Sequence, residues 1–331
     1  MADYLYGSAH VRALENAIVG RDRMERLLQA KSTDEAYAML SEFGIRVIRD
    51  SESGAFLREA TLLEILKNAY RTVAELAPDS GAMRLWLYPY DCNNLKAAIK
   101  GFFRKIDPQS MMFDFGTADV ESILKMVSTG DFSPLPSTMR KGAADAVEAY
   151  AKTKNPQVID LILDRACYAD MLEAALADGN PYVVQLVQAK IDLVNLMMTV
   201  RILRMKSGEA GKNLLRDALI TGGRFSDDTL LALYDGGEEM LWEHVRHSAY
   251  EKFATAVAAS DRSLTAVERS ADDVWMEMIR AAKWIPVGQE AMVAFLLAHE
   301  YEVRNLRIVL AGKEAGLPVA TVRERIRENY V

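Results

Sequence analysis

The chain has 331 residues, of which 50% are hydrophobic and 26% charged, and its formal net charge is −7. This length suits two or three domains, and this composition is typical of a folded protein and not of a disordered one. Because phosphate binding needs a basic surface, the acidic balance argues against nucleic acid as the main partner. Two cysteines without a CxxC pair predict neither a disulfide scaffold nor a zinc site, and they suit a reducing cytosol.

Apolar residues at helical spacing dominate the first third of the chain. Ser32-Thr33-Asp34-Glu35 has the capping-box pattern, which predicts the start of a helix. A longer helix is predicted over residues 54–77, with a break at residues 78–81. Only residues 45–48 show a weak strand-like alternation. The fold class is therefore predicted to be all-α.

The middle and last thirds repeat this plan. Pro156 suits a first helical position, Gly179-Asn180-Pro181 predicts a turn, and Ser226 with two following acids opens a further helix. The longest strongly apolar runs, residues 193–200 and 291–298, have 8 residues each. A membrane-spanning helix needs ~20 apolar residues, so no direct membrane span is predicted.

A short polar pattern occurs three times along the chain: an acid, two free positions, then Asn-Leu. The three acids are 101 and 110 residues apart (192 − 91 and 302 − 192). On a helix, an acid and an Asn three positions apart face the same side, whereas the Leu points roughly 100° away, towards a core. We expect each copy to fix the register of its helix against an adjacent helix, and the alternative is a direct contact with a partner protein. The nine residues of this structural repeat motif are Asp91, Asn94, Leu95, Asp192, Asn195, Leu196, Glu302, Asn305 and Leu306.

The surroundings of the motif repeat as well. An acid near an aromatic residue precedes the three motif acids by 27, 28 and 30 residues (91 − 64, 192 − 164 and 302 − 272). Units of this length exceed the repeats of solenoid proteins. The sequence therefore predicts three similar helical domains, at residues 1–106, 107–209 and 210–331.

Candidate catalytic and metal-binding residues are few. His244 and His247 share a helix face beside Glu243, but the HExxH order and a third ligand are absent, so we expect a surface or partly packed pair. The nucleophile-elbow, dinucleotide and phosphate-loop patterns are also absent. No catalytic, cofactor-binding or metal-binding residue is predicted.

An ordered set of stretches resembles the C subunit of the archaeal and bacterial V/A-type ATPases, a family that includes the d subunit of the vacuolar ATPase. The resemblance covers nearly the whole chain. Cys92-Asn93 and Met197 depart from the family pattern without affecting the fold. The stretches that carry the resemblance are residues 4–15, 90–96, 160–165, 190–196, 286–313 and 316–318.

This resemblance implies an all-α funnel of three similar domains with pseudo-threefold symmetry. It implies a non-catalytic central-rotor component at the cytoplasmic face of the membrane, peripheral and without a cofactor. Its partners would be the D and F subunits of the central shaft and the membrane proteolipid rotor ring. As a socket between them, it would pass torque between ATP hydrolysis or synthesis and proton or sodium transport.

Two alternatives come from other functional classes. A free-standing helical adaptor that binds soluble protein partners would share the helical pattern but not the ring. A helical enzyme would use His244, His247 and nearby acids.

Overall fold

The computed structural model describes residues 4–77, 81–205 and 208–331. Within these ranges the chain folds into helices, and its one strand-like feature is a single bridge between Arg49 and Phe56. The predicted all-α class is therefore confirmed. The α-helices are α1 (Leu5–Leu14), α2 (Arg21–Leu28), α3 (Thr33–Glu42), α4 (Arg58–Leu76), α5 (Gly81–Arg84), α6 (Tyr88–Arg104), α7 (Val120–Thr129), α8 (Ser137–Thr153), α9 (Gln157–Asp178), α10 (Pro181–Met205), α11 (Glu209–Ala218), α12 (Asp227–Arg246), α13 (Glu251–Ala258), α14 (Leu264–Arg280), α15 (Gln289–Glu314) and α16 (Val319–Arg323).

Local sequence signals set several helix ends as predicted. The Ser32 hydroxyl accepts a hydrogen bond from the Glu35 amide at 3.1 Å and so caps α3. The Ser226 hydroxyl accepts from the Thr229 amide at 3.2 Å and caps α12. Helix α9 ends just before Gly179, whose φ of +78° is the left-handed conformation that favours glycine. These signals act within a few residues, which is why they are visible in the sequence.

The long helix of the first third begins later than predicted. It was expected from residue 54, but α4 starts at Arg58. The Asp50 carboxylate accepts hydrogen bonds from the amides of Glu52 and Ser53, and this turn occupies the residues before the helix. The predicted break at residues 78–81 falls largely outside the described residues.

The chain divides into two compact units. Unit 1 consists of residues 1–79 and 250–331, and unit 2 consists of residues 80–249. Segments from the predicted first and third domains thus contribute to one unit. The three-domain division and the funnel remain predictions.

Helix α15 is the central element of unit 1. It packs along α4 and also contacts α1 and α14. Residues 291–298 of α15 are at most 3% exposed, so the apolar run seen in the sequence is a core segment. Each buried leucine-sized side chain of this kind contributes about 1.5–3 kcal/mol relative to exposure in water.

Unit 2 is built on two long helices, α9 and α10. Helix α9 packs against α8, α6 and α10, and α10 also contacts α11 and α12. Among the described residues, Pro181–Met205 is the one helix long and apolar enough to cross a membrane, a feature that counting short apolar runs did not reveal. Its most apolar window is 61% buried inside the protein. This burial accounts for its hydropathy, as in the core helix of a globular protein.

Candidate functional site

The nine motif residues occupy equivalent places on α6, α10 and α15. All nine are buried, with exposures of 0–4%. Buried polar groups are costly unless they are hydrogen-bonded, so the partners of the acids and amides decide what the motif does.

The motif asparagines make the same contact in all three copies. The Asn94 side chain donates to the carbonyl oxygen of Phe113 and accepts from the amide of Phe113, both at 2.8 Å. The Asn195 side chain does the same with Ile220, at 2.7 and 2.9 Å. A single residue outside the helix is thus held through both of its backbone polar groups. We call this arrangement the amide clamp.

The third amide clamp joins Asn305 to Arg327. The Asn305 side chain donates to the Arg327 carbonyl oxygen at 3.0 Å and accepts from the Arg327 amide at 2.9 Å. It also donates to the Asn329 side chain at 3.0 Å. The held residues lie 19, 25 and 22 positions after their asparagines (113 − 94, 220 − 195 and 327 − 305).

The held backbone belongs to an extended connection and not to a neighbouring helix. The expected register contact with an adjacent helix is therefore replaced by a contact with the segment that follows the motif helix. An extended segment has free amide and carbonyl groups to offer, whereas those of a helix interior are already paired. The contribution of the clamps to stability remains a prediction.

The motif acids hold the amides that immediately precede the next helix. Asp91 accepts from the amides of Thr117 and Ala118 at 2.9 and 3.2 Å, and Asp119 then caps α7. Asp192 accepts from the amides of Arg224 and Phe225 at 3.0 and 3.1 Å, just before the cap of α12. In both copies the cap lies six residues after the clamped residue (119 − 113 and 226 − 220). Each acid therefore fixes where the following helix begins.

The third motif acid accepts its hydrogen bond from an amide near the opposite end of the sequence. Glu302 accepts from the Val19 amide at 2.7 Å, one residue before Gly20, the cap of α2. The Arg21 amide in turn donates to the carbonyl oxygen of Val331 at 3.2 Å. Residues 327–331 and 19–21 together thus form the connection that is continuous in the other two copies. The repeat is closed by segments from the two ends of the sequence.

Sequence analysis did not predict the close packing that two glycines permit. A Cβ atom on Gly116 would lie 2.2 Å from Asp91 Oδ1, and one on Gly223 would lie 2.1 Å from Asp192 Oδ1. Both glycines follow the clamped residue by three positions, a spacing that was available as a signal. In the third copy Tyr330 has this place, and its hydroxyl donates to Glu15 at 2.9 Å.

Burial raises the pKa of Asp91, and the hydrogen bonds from Thr117 and Ala118 oppose that shift without cancelling it. The carboxylate is therefore held by geometry at a cost in desolvation. Asp91 therefore has a structural role, because its oxygens accept hydrogen bonds from the Thr117 and Ala118 amides and the Thr117 hydroxyl.

The two candidate metal-binding histidines make different contacts. His247 is hydrogen-bonded to Glu243 at 3.0 Å, whereas the His244 ring lies against Phe225 with centroids 5.6 Å apart. Within residues 4–77, 81–205 and 208–331, three or more His, Cys, Asp or Glu side chains are nowhere grouped to hold a metal ion.

A cavity of about 220 Å³ in unit 1 was not anticipated. It lies beside the third motif acid, and its walls include Phe43, Arg46, Glu64 and His299. His299 Nδ1 is 2.6 Å from a Glu302 carboxylate oxygen. The carboxylate that accepts from the Val19 amide therefore also contacts the wall of the cavity.

Comparison with known proteins identifies the family. The family model described as ATP synthase (C/AC39) subunit matches residues 8–325. The chain belongs to this family. Its members are non-catalytic subunits of V/A-type ATPase complexes, so the C/AC39 chain is a subunit of a membrane-associated rotary ATPase.

Individual relatives of this C/AC39 chain are distant in sequence but cover nearly all of it. The C subunit of the V-type sodium ATPase of Enterococcus hirae is 24% identical over 323 residues, covering 97% of each chain. The C subunit of the A-type ATP synthase of Haloferax volcanii is 25% identical over 332 residues, covering 94% of each chain. That of Methanocaldococcus jannaschii is 21% identical over 346 residues, covering 98% of this chain and 86% of the relative.

Proposed function

We propose that the chain is the socket of a V/A-type rotary ATPase, joining the D and F subunits of the central shaft to the membrane proteolipid ring. It would lie at the cytoplasmic face and transmit torque during proton or sodium transport. The family match over residues 8–325 carries this proposal. The names of relatives include both a sodium ATPase and ATP synthases, which supports a role common to either direction of the motor.

The clamps support a mechanical role. Torque transmission requires helices whose ends are fixed, and each amide clamp fixes one residue of the segment after a long helix through two hydrogen bonds. All nine motif residues are buried, so the motif serves the interior and leaves partner contacts to other residues.

Exposed apolar residues supply candidates for those contacts. Exposed apolar residues lie within three positions of the end of each motif helix, among them Phe102 (53% exposed), Met205 (74%) and Leu317 (41%). They follow their motif acids by 11, 13 and 15 positions (102 − 91, 205 − 192 and 317 − 302). We propose these three side chains as contacts with the partner proteins.

The test is copurification from detergent-solubilised membranes. The native chain should elute with the proteolipid ring and shaft proteins, and removing it should leave ATP hydrolysis that no longer drives ion transport. Recovery of the chain in the soluble fraction with other partners would favour the free-standing adaptor and refute the socket.

Site-specific photo-cross-linking tests the contacts. A photoreactive residue at Phe102, Met205 or Leu317 should yield adducts with shaft or ring proteins in the assembled complex. The same group at Glu148, an exposed position on α8, is the matched control and should yield none. Equal labelling from all four positions would reject these residues as contacts.

A further inference from the structure

The two cysteines of the chain lie together in the core of unit 2. Cys92 is on α6 and Cys167 on α9, helices that pack against each other, and the side chains are 2% and 3% exposed. The Cys92 thiol donates to the carbonyl oxygen of Leu163 at 3.4 Å. Within α9 the same carbonyl oxygen accepts the helical hydrogen bond of the Cys167 amide, because Cys167 lies one turn after Leu163. Cys92 therefore touches the helical turn that carries Cys167.

We propose that Cys92 and Cys167 are a dithiol that a low-molecular-weight disulfide of the glutathione class oxidises to a disulfide joining α6 to α9. Such a bond would covalently tie the first motif helix to its neighbour. This inference does not depend on the socket function.

The charged neighbours make the two thiols unequal. Lys96 lies one turn after Cys92 on the same face of α6, and its ammonium group pairs with Asp164 on α9. Burial would lower the pKa of Lys96, but Cys92 and Asp164 outweigh it and the pKa is raised. A hydrogen bond with Cys92, together with burial, raises the pKa of the Cys167 thiol. Cys167 is thus the thiol that is harder to deprotonate, whereas Cys92 has the Lys96–Asp164 ion pair beside it.

These roles define the order of the reaction. The Cys92 thiolate attacks one sulfur of the small disulfide, forming a mixed disulfide and releasing one small thiolate. Cys167 then loses its proton to solvent and attacks the Cys92 sulfur, which releases the second small thiolate. The two cysteines lose two electrons and two protons, and the small disulfide is reduced to two thiols. Because both thiols are buried, the first attack requires a local opening between α6 and α9.

The experiment uses the full chain equilibrated in buffers of reduced and oxidised glutathione. After acid quenching, denaturation and alkylation, the oxidised sample should contain one intramolecular disulfide between residues 92 and 167, with two hydrogens lost and no alkylated cysteine. Its melting temperature should exceed that of the reduced chain. A chain that keeps both thiols free at equilibrium, or that carries only separate glutathione adducts, would overturn the proposal.

Serine variants test the order of attack. Cys167→Ser should accumulate a mixed disulfide at Cys92, whereas Cys92→Ser should react much more slowly at Cys167. The reverse pattern, or equal rates, would overturn the assigned order. Circular dichroism shows whether each variant folds. If a serine variant does not fold, the alanine variant at the same position, Cys92→Ala or Cys167→Ala, is used in its place.

A matched pair of lysine variants tests the electrostatic part. Lys96→Gln should slow oxidation several-fold, because it removes the cation one turn from the attacking thiol. Lys100→Gln is the control, since Lys100 also pairs with an acid of α9, Asp160 at 2.5 Å, but lies two turns from Cys92. Equal slowing in both variants would show that loosening of the helix contact, and not the charge beside Cys92, sets the rate.

Discussion

The amide of Arg21 donates to the carbonyl oxygen of Val331 at 3.2 Å, so the start of α2 lies against the last residue of the sequence. Gly20, the cap of α2, is part of the same contact. A Cβ atom on Gly20 would meet the Val331 carbonyl oxygen at 2.9 Å and its carbonyl carbon at 3.1 Å. The backbone of Gly20 itself, with φ −78°, is open to any residue. Crowding against Val331 is therefore the reason for glycine here.

Gly20→Ala should destabilise the protein by about 1–3 kcal/mol, because a side chain is inserted into a packed contact. Urea unfolding followed by circular dichroism measures this. Gly81→Ala is the control, since Gly81 has open space around its Cβ position and should change stability by less than about 0.5 kcal/mol.

Deletion of Val331 in the Gly20→Ala background should remove the added cost, because the clashing atoms are gone. The comparison of single and double variants isolates that coupling. If the alanine is as costly without Val331 as with it, the contact between the two segments does not explain the glycine.

Asn305→Ala should lower the free energy of unfolding by about 1–3 kcal/mol, since it leaves the part-buried amide and carbonyl groups of Arg327 without this partner. Thermal melting of the purified chain measures the loss. Asn16→Ala removes an exposed side-chain bond to Ala13 and should have little effect. An unchanged melting temperature combined with lost assembly would identify Asn305 as a partner contact.

Asp91 and Asp119 should give pH dependences of opposite sign. The pKa of Asp91 is raised by burial, so its contribution to stability is present below its unfolded pKa and is lost as pH rises through the folded value. The pKa of Asp119 is lowered by the Ser122 amide, so its contribution is present above its unfolded pKa and is lost as pH falls.

Asp91→Asn should therefore abolish the contribution that makes stability fall as pH rises. Asp119→Asn should abolish a contribution that makes stability increase as pH rises. Urea unfolding from pH 3 to 7 measures both slopes against the unsubstituted chain. Changes in slope of the same sign, relative to the unsubstituted chain, would contradict the opposite shifts.

Asp272→Ala should cost about 3 kcal/mol or more, because it leaves buried donors without an acceptor. Asp272 accepts from the Tyr301 hydroxyl at 2.9 Å and from Arg327 Nε at 3.0 Å, and the arginine side chain is only 12% exposed. Chemical denaturation measures the cost. Glu148→Ala breaks an ion pair whose partners are 66% and 71% exposed, and it should cost less than about 1 kcal/mol. A similar small cost for Asp272→Ala would mean that water replaces its contacts.

The fold class and many helix ends could be predicted from the sequence, because apolar spacing and capping act over a few residues. The placement of each motif on a helix could also be predicted. The residues held by the amide clamps could not. Phe113 and Ile220 lie in connections without periodicity, and Val19 is 283 residues from Glu302. A pairing of backbone with side chain leaves no residue-type signature at the backbone partner, apart from the glycines required where Asp91 and Asp192 approach closely.

The division of unit 1 between residues 1–79 and 250–331 has a consequence for synthesis of the protein. Unit 2 is complete while the ribosome is still producing the chain, so the clamps of Asn94 and Asn195 have both partners early. Residues 4–77 must wait, because α4 packs on α15 and Val19 has its acceptor at Glu302. The helices made first thus reach their final packing last, and during that interval their apolar faces are the part of the nascent chain exposed to chaperones and proteases.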